Sequence, residues 1–142
     1  MTVELAALLS GSFLYLSQGL DDVWALAWLA PVPLLWVAYG RAPSWQVLLA
    51  CLVAVLAGDI YGLQCYSTLP TLIILEVVAP QVVLFPLAIV FARMVQRRSA
   101  PLATLFAFPV CWTAFEFLSE FAAPNGTFGS LAYSQVSAPV LI

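Results

Sequence analysis

The chain has 142 residues, of which 64% are hydrophobic and only 8% are charged, and its formal net charge is −3. Soluble domains are about 45–50% apolar and about 25% charged, so this composition indicates an integral membrane protein. The sequence contains no histidine and no lysine, which excludes Ser-His-Asp and Cys-His nucleophilic sites, HExxH zinc sites and lysine-based catalysis within these residues.

Long, continuous apolar runs indicate helices rather than the alternating pattern of a membrane β-barrel. A helix needs about 20 apolar residues to cross the hydrocarbon core. The sequence therefore predicts an all-α integral membrane protein with about five transmembrane helices, over roughly residues 3–20, 23–40, 45–66, 70–92 and 101–121.

The first two predicted spans differ in how their sequences should shape the helix. Ser10, Gly11 and Ser12 in the first span are small and would allow a neighbouring helix to approach closely. Pro31 and Pro33 lie in the middle of the second span, which we expect to be kinked or short because proline cannot donate a backbone hydrogen bond. The fourth and fifth spans also contain internal prolines and are expected to kink.

The arginines give the orientation. Arg41 follows the second predicted span, and Arg93, Arg97 and Arg98 follow the fourth or lie at its end. With the five spans assigned above, all of them fall on one side, which the positive-inside rule makes cytoplasmic. The N-terminus is then cytoplasmic, and the chain after residue 121 lies on the outer side.

Acidic residues accumulate toward the opposite side. Glu76 and Glu116 lie inside the fourth and fifth spans, at a depth where a carboxylate usually faces a cavity or the bundle interior. Asp59 and Glu120 are instead expected to reach water near the headgroups. We predict a polar pocket that opens outward between the third, fourth and fifth spans; the alternative is that all these acids only reach the headgroups.

The end of the sequence differs from the rest. We predict a helical membrane domain over residues 1–122 and an outer-face aromatic loop over residues 123–142. Phe128 and Tyr133 could lie against acyl chains while Gln135 faces water, although an ordinary interfacial loop would show the same pattern.

Metal, cofactor and nucleic-acid sites are not predicted. Cys51, Cys65 and Cys111 show no CxxC or other ligand spacing, and two of them lie inside apolar runs. The arginines are scattered along the chain and give no nucleic-acid-binding pattern.

Two stretches, FAFPVCWTAFEFLSE and GTFGSLAYSQ, resemble the apolipoprotein N-acyltransferase family. Pro109, Trp112, Glu116-Phe117-Leu118 and Tyr133-Ser134-Gln135 stand at places that match the family's motifs. Ser119 replaces an arginine of the family, and Gly126-Thr127-Phe128-Gly129 replaces its Gly-Phe-Pro-Trp turn. The order of spans, with the N-terminus inside, is also similar.

The resemblance implies transfer of a phospholipid acyl chain to the N-terminal cysteine of a lipoprotein, on the outer face of the bacterial cytoplasmic membrane. In that family the catalyst is a nitrilase-like domain with a cysteine, a glutamate and a lysine, and this sequence has no lysine. We therefore expect a membrane platform that is not catalytic alone, from a chain that continues beyond residue 142. Phospholipid and lipoprotein are its expected partners.

Candidate substrate-binding residues combine the pocket and the loop. They are Glu76, Glu116, Phe128, Tyr133 and Gln135. Two alternatives remain open: a stand-alone assembly or binding subunit, and a transporter fragment that uses the acidic residues as an ion path. A transporter often shows an inverted repeat, and none is recognisable in the sequence.

Overall fold

A computed structural model describes residues 1–18, 23–65, 67 and 70–122. The elements that it assigns are six α-helices, and no strand occurs among the described residues. The helices are α1 (Val3–Gln18), α2 (Trp24–Leu29), α3 (Pro31–Tyr39), α4 (Ser44–Cys65), α5 (Thr71–Gln96) and α6 (Pro101–Ala122). The all-α prediction is confirmed for this part of the chain, and residues 123–142, the predicted outer loop, lie outside it.

Each predicted span corresponds to one helix or, for the second, to the consecutive pair α2 and α3. Two helical stretches are long and apolar enough to cross a membrane, Thr71–Gln96 and Pro101–Ser119. The apolar stretches Trp24–Tyr39 and Ser44–Ile60 are shorter. Two spans are thus supported by length and composition, and the larger number stays a prediction.

Both long helices leave most of their apolar surface uncovered. Only 24% of the most apolar window of α5 and 17% of that of α6 is buried inside the protein. The core helix of a soluble domain would be mostly buried, whereas lipid-facing helices need no protein cover on their outer faces. Large exposed side chains continue along α6, including Leu105, Val110 and Phe121. This exposure favours a membrane location for these helices.

Proline interrupts the second span, as predicted. Ala30 separates α2 from α3 and keeps a helical backbone, and its amide donates to the carbonyl of Leu26 at 2.8 Å. Pro31 is the first residue of α3, where its missing N–H costs little. Pro33 also lacks an amide hydrogen. The carbonyls four residues before Pro31 and Pro33, the second of which belongs to Leu29, therefore have no helical hydrogen-bond partner.

Small residues allow α1 and α4 to pack closely, as predicted for Ser10 and Gly11, although Ser12 is exposed. A Cβ placed on Gly11 would lie 3.0 Å from the Cβ of Ala57. A Cβ placed on Gly58 would lie 2.6 Å from the Cβ of Leu14. Since these contacts advance in the same direction along both helices, α1 and α4 run parallel, as the first and third spans of an alternating bundle must.

The remaining helices extend this pair into a bundle. α3 packs against α1, α4 and α5, and α6 packs mainly against α5. An aromatic cluster joins the last two helices: the ring of Phe85 lies edge-on to Phe108 and Trp112, with centroids 5.6 Å and 5.4 Å away. Phe108 and Trp112 stack in parallel at 6.3 Å. These ring contacts set the position of α6 relative to α5 along the helix axes.

Candidate functional site

The acidic side chains differ in burial from what the sequence indicated. Asp59 on α4 is buried, with 5% of its surface exposed, so the expectation that it reaches water near the headgroups is wrong. Glu116 on α6 is half-buried and Glu76 on α5 is exposed. Phe128 and the other predicted loop residues, Tyr133 and Gln135, lie outside the described residues.

Asp59 follows Gly58, which packs against α1, and therefore points about 100° around α4 from that contact. Its Oδ2 atom is buried and has no hydrogen-bond partner within the described part of the chain. An unsatisfied buried acceptor costs about 1–3 kcal/mol, and more if it is charged. Oδ2 of Asp59 is thus a buried acceptor to which a hydroxyl, amide or cationic group could donate a hydrogen bond.

Helix register places the acidic residues at similar heights. Arg93 at the end of α5 contacts Ala42, just before α4. Asp59 and Glu76 each lie about 17 residues, or about 25 Å, along their antiparallel helices from that contact. The aromatic cluster gives a common level for α5 and α6. Counting residues from that level along each helix places Glu116 within about one turn of the height of Glu76. All three carboxyls therefore belong to the end of the bundle opposite the arginines.

The aromatic cluster of Phe85, Phe108 and Trp112 lies directly below Glu116. Trp112 precedes Glu116 by one helical turn and so shares its face of α6. Phe85 and Phe108 are buried, and Trp112 is half-buried. Glu116, which is half-buried, thus lies on the side of α6 that packs against α5, one helical turn from this apolar cluster.

The opposite end of the bundle collects the arginines. Nη2 of Arg93 donates to the carbonyl oxygen of Ala42 at 2.6 Å, which joins the end of α5 to the α3–α4 connection. The hydroxyl of Tyr39, at the end of α3, donates to the carbonyl of Thr104 near the start of α6 at 3.2 Å. The connection that carries Arg41 and the segment that carries the later arginines therefore lie at one end of the bundle. The side of the membrane on which that end lies stays a prediction.

Metal-binding groups do not cluster in the part of the chain that the structure describes, where no group of three or more His, Cys, Asp or Glu side chains occurs. Cys51 is buried in α4 and Cys111 is half-buried in α6, and both are free thiols. The described residues thus give no donor set for a metal, and absence of a cofactor stays a prediction.

Two buried charged residues were not identified from the sequence, but a signal existed. Asp59 extends the buried row Cys51 and Val55 on α4 at a spacing of four residues. Arg93 extends the row Phe85 and Ile89 on α5 in the same way. Reading charged residues against the apolar row of their own helix would have found both.

The family described as the apolipoprotein N-acyltransferase N-terminal domain matches residues 10–142. Neither the curated proteins nor the solved structures contain a match to this chain. The family match includes α1 from residue 10 onward, the helices α2 to α6, and the motif residues between Pro109 and Gln135. Because it covers nearly the whole sequence, the chain belongs to the apolipoprotein N-acyltransferase N-terminal domain family.

Proposed function

We propose that this chain forms the membrane-embedded part of an apolipoprotein N-acyltransferase-like protein. In this role it supports transfer of a phospholipid acyl chain to the N-terminal cysteine of a lipoprotein. The observation that carries the proposal is the family match over residues 10–142, together with the largely uncovered apolar faces of α5 and α6. Those faces are suited to contact with acyl chains.

The 142 residues do not catalyse the reaction alone by the nitrilase-type mechanism that the family resemblance implies. That mechanism needs a lysine to stabilise the developing oxyanion, and the sequence has none. We assign these residues the tasks of anchoring, of lipid access from the bilayer and of placing an acidic surface beneath a catalytic domain that lies outside residues 1–142.

The proposed orientation puts the arginine end in the cytoplasm and the acidic end on the outer side of the bacterial inner membrane. Arg93 and Arg41 lie at one end of the bundle, and the carboxyls of Asp59 and Glu116 lie toward the other. The positive-inside rule then selects the cytoplasm for the arginine end. The outer end is the place where the lipoprotein cysteine would arrive.

The proposed substrate-binding surface consists of Glu76 and Glu116 with the loop residues Phe128, Tyr133 and Gln135. Carboxylates at the outer end could attract the α-amino group of the acceptor cysteine, and loop aromatics could contact its acyl chains. A charge-assisted hydrogen bond contributes about 1.5–3 kcal/mol, so losing that of half-buried Glu116 should weaken acceptor binding by about tenfold or more. An exposed ion pair contributes about 0–1 kcal/mol, so the loss at exposed Glu76 should be about fivefold or less.

The coding sequence beyond codon 142 tests the proposal first. Continuation into a nitrilase-type domain with glutamate, lysine and cysteine supports it, and a stop codon without a nitrilase-type partner gene contradicts it. The complete protein should then restore the third acyl chain of a lipoprotein in cells depleted of their own enzyme, measured by mass spectrometry. A membrane-inserted complete protein that leaves the lipoprotein diacylated would refute the assignment.

Variants of the complete protein test the surface. Glu76→Gln and Glu116→Gln should each lower N-acylation, whereas the matched control Glu4→Gln removes an exposed carboxylate at the opposite end and should not. Equal activity of all three variants at native expression would exclude the carboxylates from substrate binding, while leaving the membrane-platform assignment intact.

A further inference from the structure

Arg93 is a buried cation whose hydrogen bonds are incomplete. Only 5% of its surface is exposed, and its Nη2 donates to the carbonyl oxygen of Ala42. Nε and Nη1 are buried and have no hydrogen-bond partner in the described part of the chain. The one contact is to a neutral carbonyl, so the charge itself is not balanced by that bond.

Such an arrangement is costly. A guanidinium is charged at every physiological pH, and removing it from water costs several kcal/mol unless an opposite charge compensates. Glu4 is the acidic residue that the sequence supplies at this end, but it is exposed in the first turn of α1, which packs against α2, α3 and α4. An external anion would supply the missing charge.

Two further arginines surround the same place. Arg97 follows Arg93 by one helical turn, directly after the end of α5, and so lies on the same face. Arg41 immediately precedes Ala42, the residue whose carbonyl Arg93 contacts. Arg41 and Arg97 are both exposed. Two exposed cations thus flank a buried one, at the end of a long apolar helix where lipid headgroups would lie.

We propose that the connection between α3 and α4 and the last turn of α5 form a binding site for the phosphate of an anionic phospholipid. The phosphate oxygens accept from the open donors of Arg93 and pair with Arg41 and Arg97. Three of residues 40–43 are exposed, so a small displacement of this connection gives a phosphate access to the guanidinium. Guanidinium groups bind phosphate through paired N–H donors, and basic pockets at the cytoplasmic side of helical bundles suit anionic headgroups.

The site is independent of the acyl-transfer proposal, because it lies at the opposite end of the bundle from the acidic residues. It would hold a structural lipid rather than the acyl donor. A lipid headgroup and a free phosphate share this chemistry, so the experiment must separate them.

The test measures lipid retention by the purified chain in phosphatidylcholine nanodiscs into which phosphatidylglycerol is titrated. Native mass spectrometry counts bound phosphatidylglycerol, and a separate series adds inorganic phosphate without it. A charge-assisted hydrogen bond to a phosphate contributes about 1.5–3 kcal/mol, or about tenfold or more in affinity. We therefore expect Arg97→Gln to weaken retention about tenfold or more and Arg93→Gln to weaken it further.

Arg98→Gln is the matched control, since it removes the same charge one residue further along the chain. Retention in this variant should fall by no more than about fivefold, which is the effect of losing one arginine near an anionic surface. Equal losses of lipid retention in Arg93→Gln, Arg97→Gln and Arg98→Gln would overturn the site and indicate non-specific electrostatic attraction to the surface. If Arg93→Gln does not fold, lipid retention by Arg97→Gln and Arg41→Gln is compared with that of the control Arg98→Gln instead. Displacement of the lipid by millimolar inorganic phosphate would overturn a lipid ligand and indicate a free anion.

Discussion

The close contact between α1 and α4 gives a sharp prediction at Gly58. An alanine there would place its Cβ 2.6 Å from the Cβ of Leu14, well inside the 3.4–4 Å of an ordinary contact. Leu14 cannot relieve the clash by a rotamer change, because its Cβ is fixed to the backbone. The two helices would have to separate by about 1 Å, which also loosens the contacts around Gly11.

The expected magnitude follows from two opposing effects. Overpacking a close contact costs about 1–3 kcal/mol, and a backbone-fixed clash belongs at the upper end of that range. Alanine regains about 1 kcal/mol of helix propensity relative to glycine. Gly58→Ala should therefore lower the free energy of unfolding by about 2 kcal/mol, which corresponds to roughly 6 °C in Tm for a chain of this size.

Two other glycines provide the comparison. A Cβ on Gly11 meets Ala57 at 3.0 Å, so the clash and the gain in propensity should nearly cancel. Gly40 is exposed at the end of α3, where a Cβ would lie 3.3 Å from the carbonyl oxygen of Val37, and Gly40→Ala should change stability by about 0.5 kcal/mol or less. Thermal unfolding in detergent micelles, followed by circular dichroism, ranks the stabilities of the three glycine-to-alanine variants. A Gly58→Ala protein as stable as Gly40→Ala would refute the close packing of Gly58 against Leu14.

The other predictions concern the two ends and the core of the bundle, each measured by the same unfolding assay. Tyr39→Phe removes the hydroxyl that donates to Thr104 and should cost about 0.5–1.5 kcal/mol; no loss would mean that this bond is absent in the membrane. Phe85→Ala should cost about 3–5 kcal/mol because it empties the aromatic cluster, whereas Phe106→Ala, on the exposed face of α6, should cost about 0.5 kcal/mol or less. Asp59→Asn keeps the shape and removes the charge of a buried group, so it should cost no more than about 1 kcal/mol; a larger loss would indicate that the carboxylate has a cationic partner.

Much of the fold could be predicted because the apolar runs and the prolines act locally. The break before Pro31 follows from two missing amide donors within one turn, and no distant contact is needed to explain it. The close approach at Gly11 follows from the absence of a side chain, but its partner, Gly58, depends on how α1 and α4 align. Sequence alone does not fix that alignment.

The candidate site was harder to predict because burial depends on the neighbouring helix. Asp59 and Glu76 lie at similar heights, yet one is buried and the other exposed, since they occupy different faces of α4 and α5. Depth along a helix can be counted from the sequence, but the direction in which a side chain points requires the packing. The row Phe85, Ile89 and Arg93 can be found in the sequence, but only the packing of α5 shows that this row is buried.

The central claim is that the arginine end of the bundle and the far end of α4 lie on opposite sides of the membrane. Accessibility labelling tests this claim most directly. In a variant whose native cysteines are replaced by alanine, one cysteine is introduced at Arg98 and, separately, at Ser67, which is exposed between α4 and α5. A membrane-impermeant maleimide should label the Ser67→Cys protein in intact cells and label the Arg98→Cys protein only after the membrane is broken. Labelling of both, or of neither, in intact cells would contradict the arrangement.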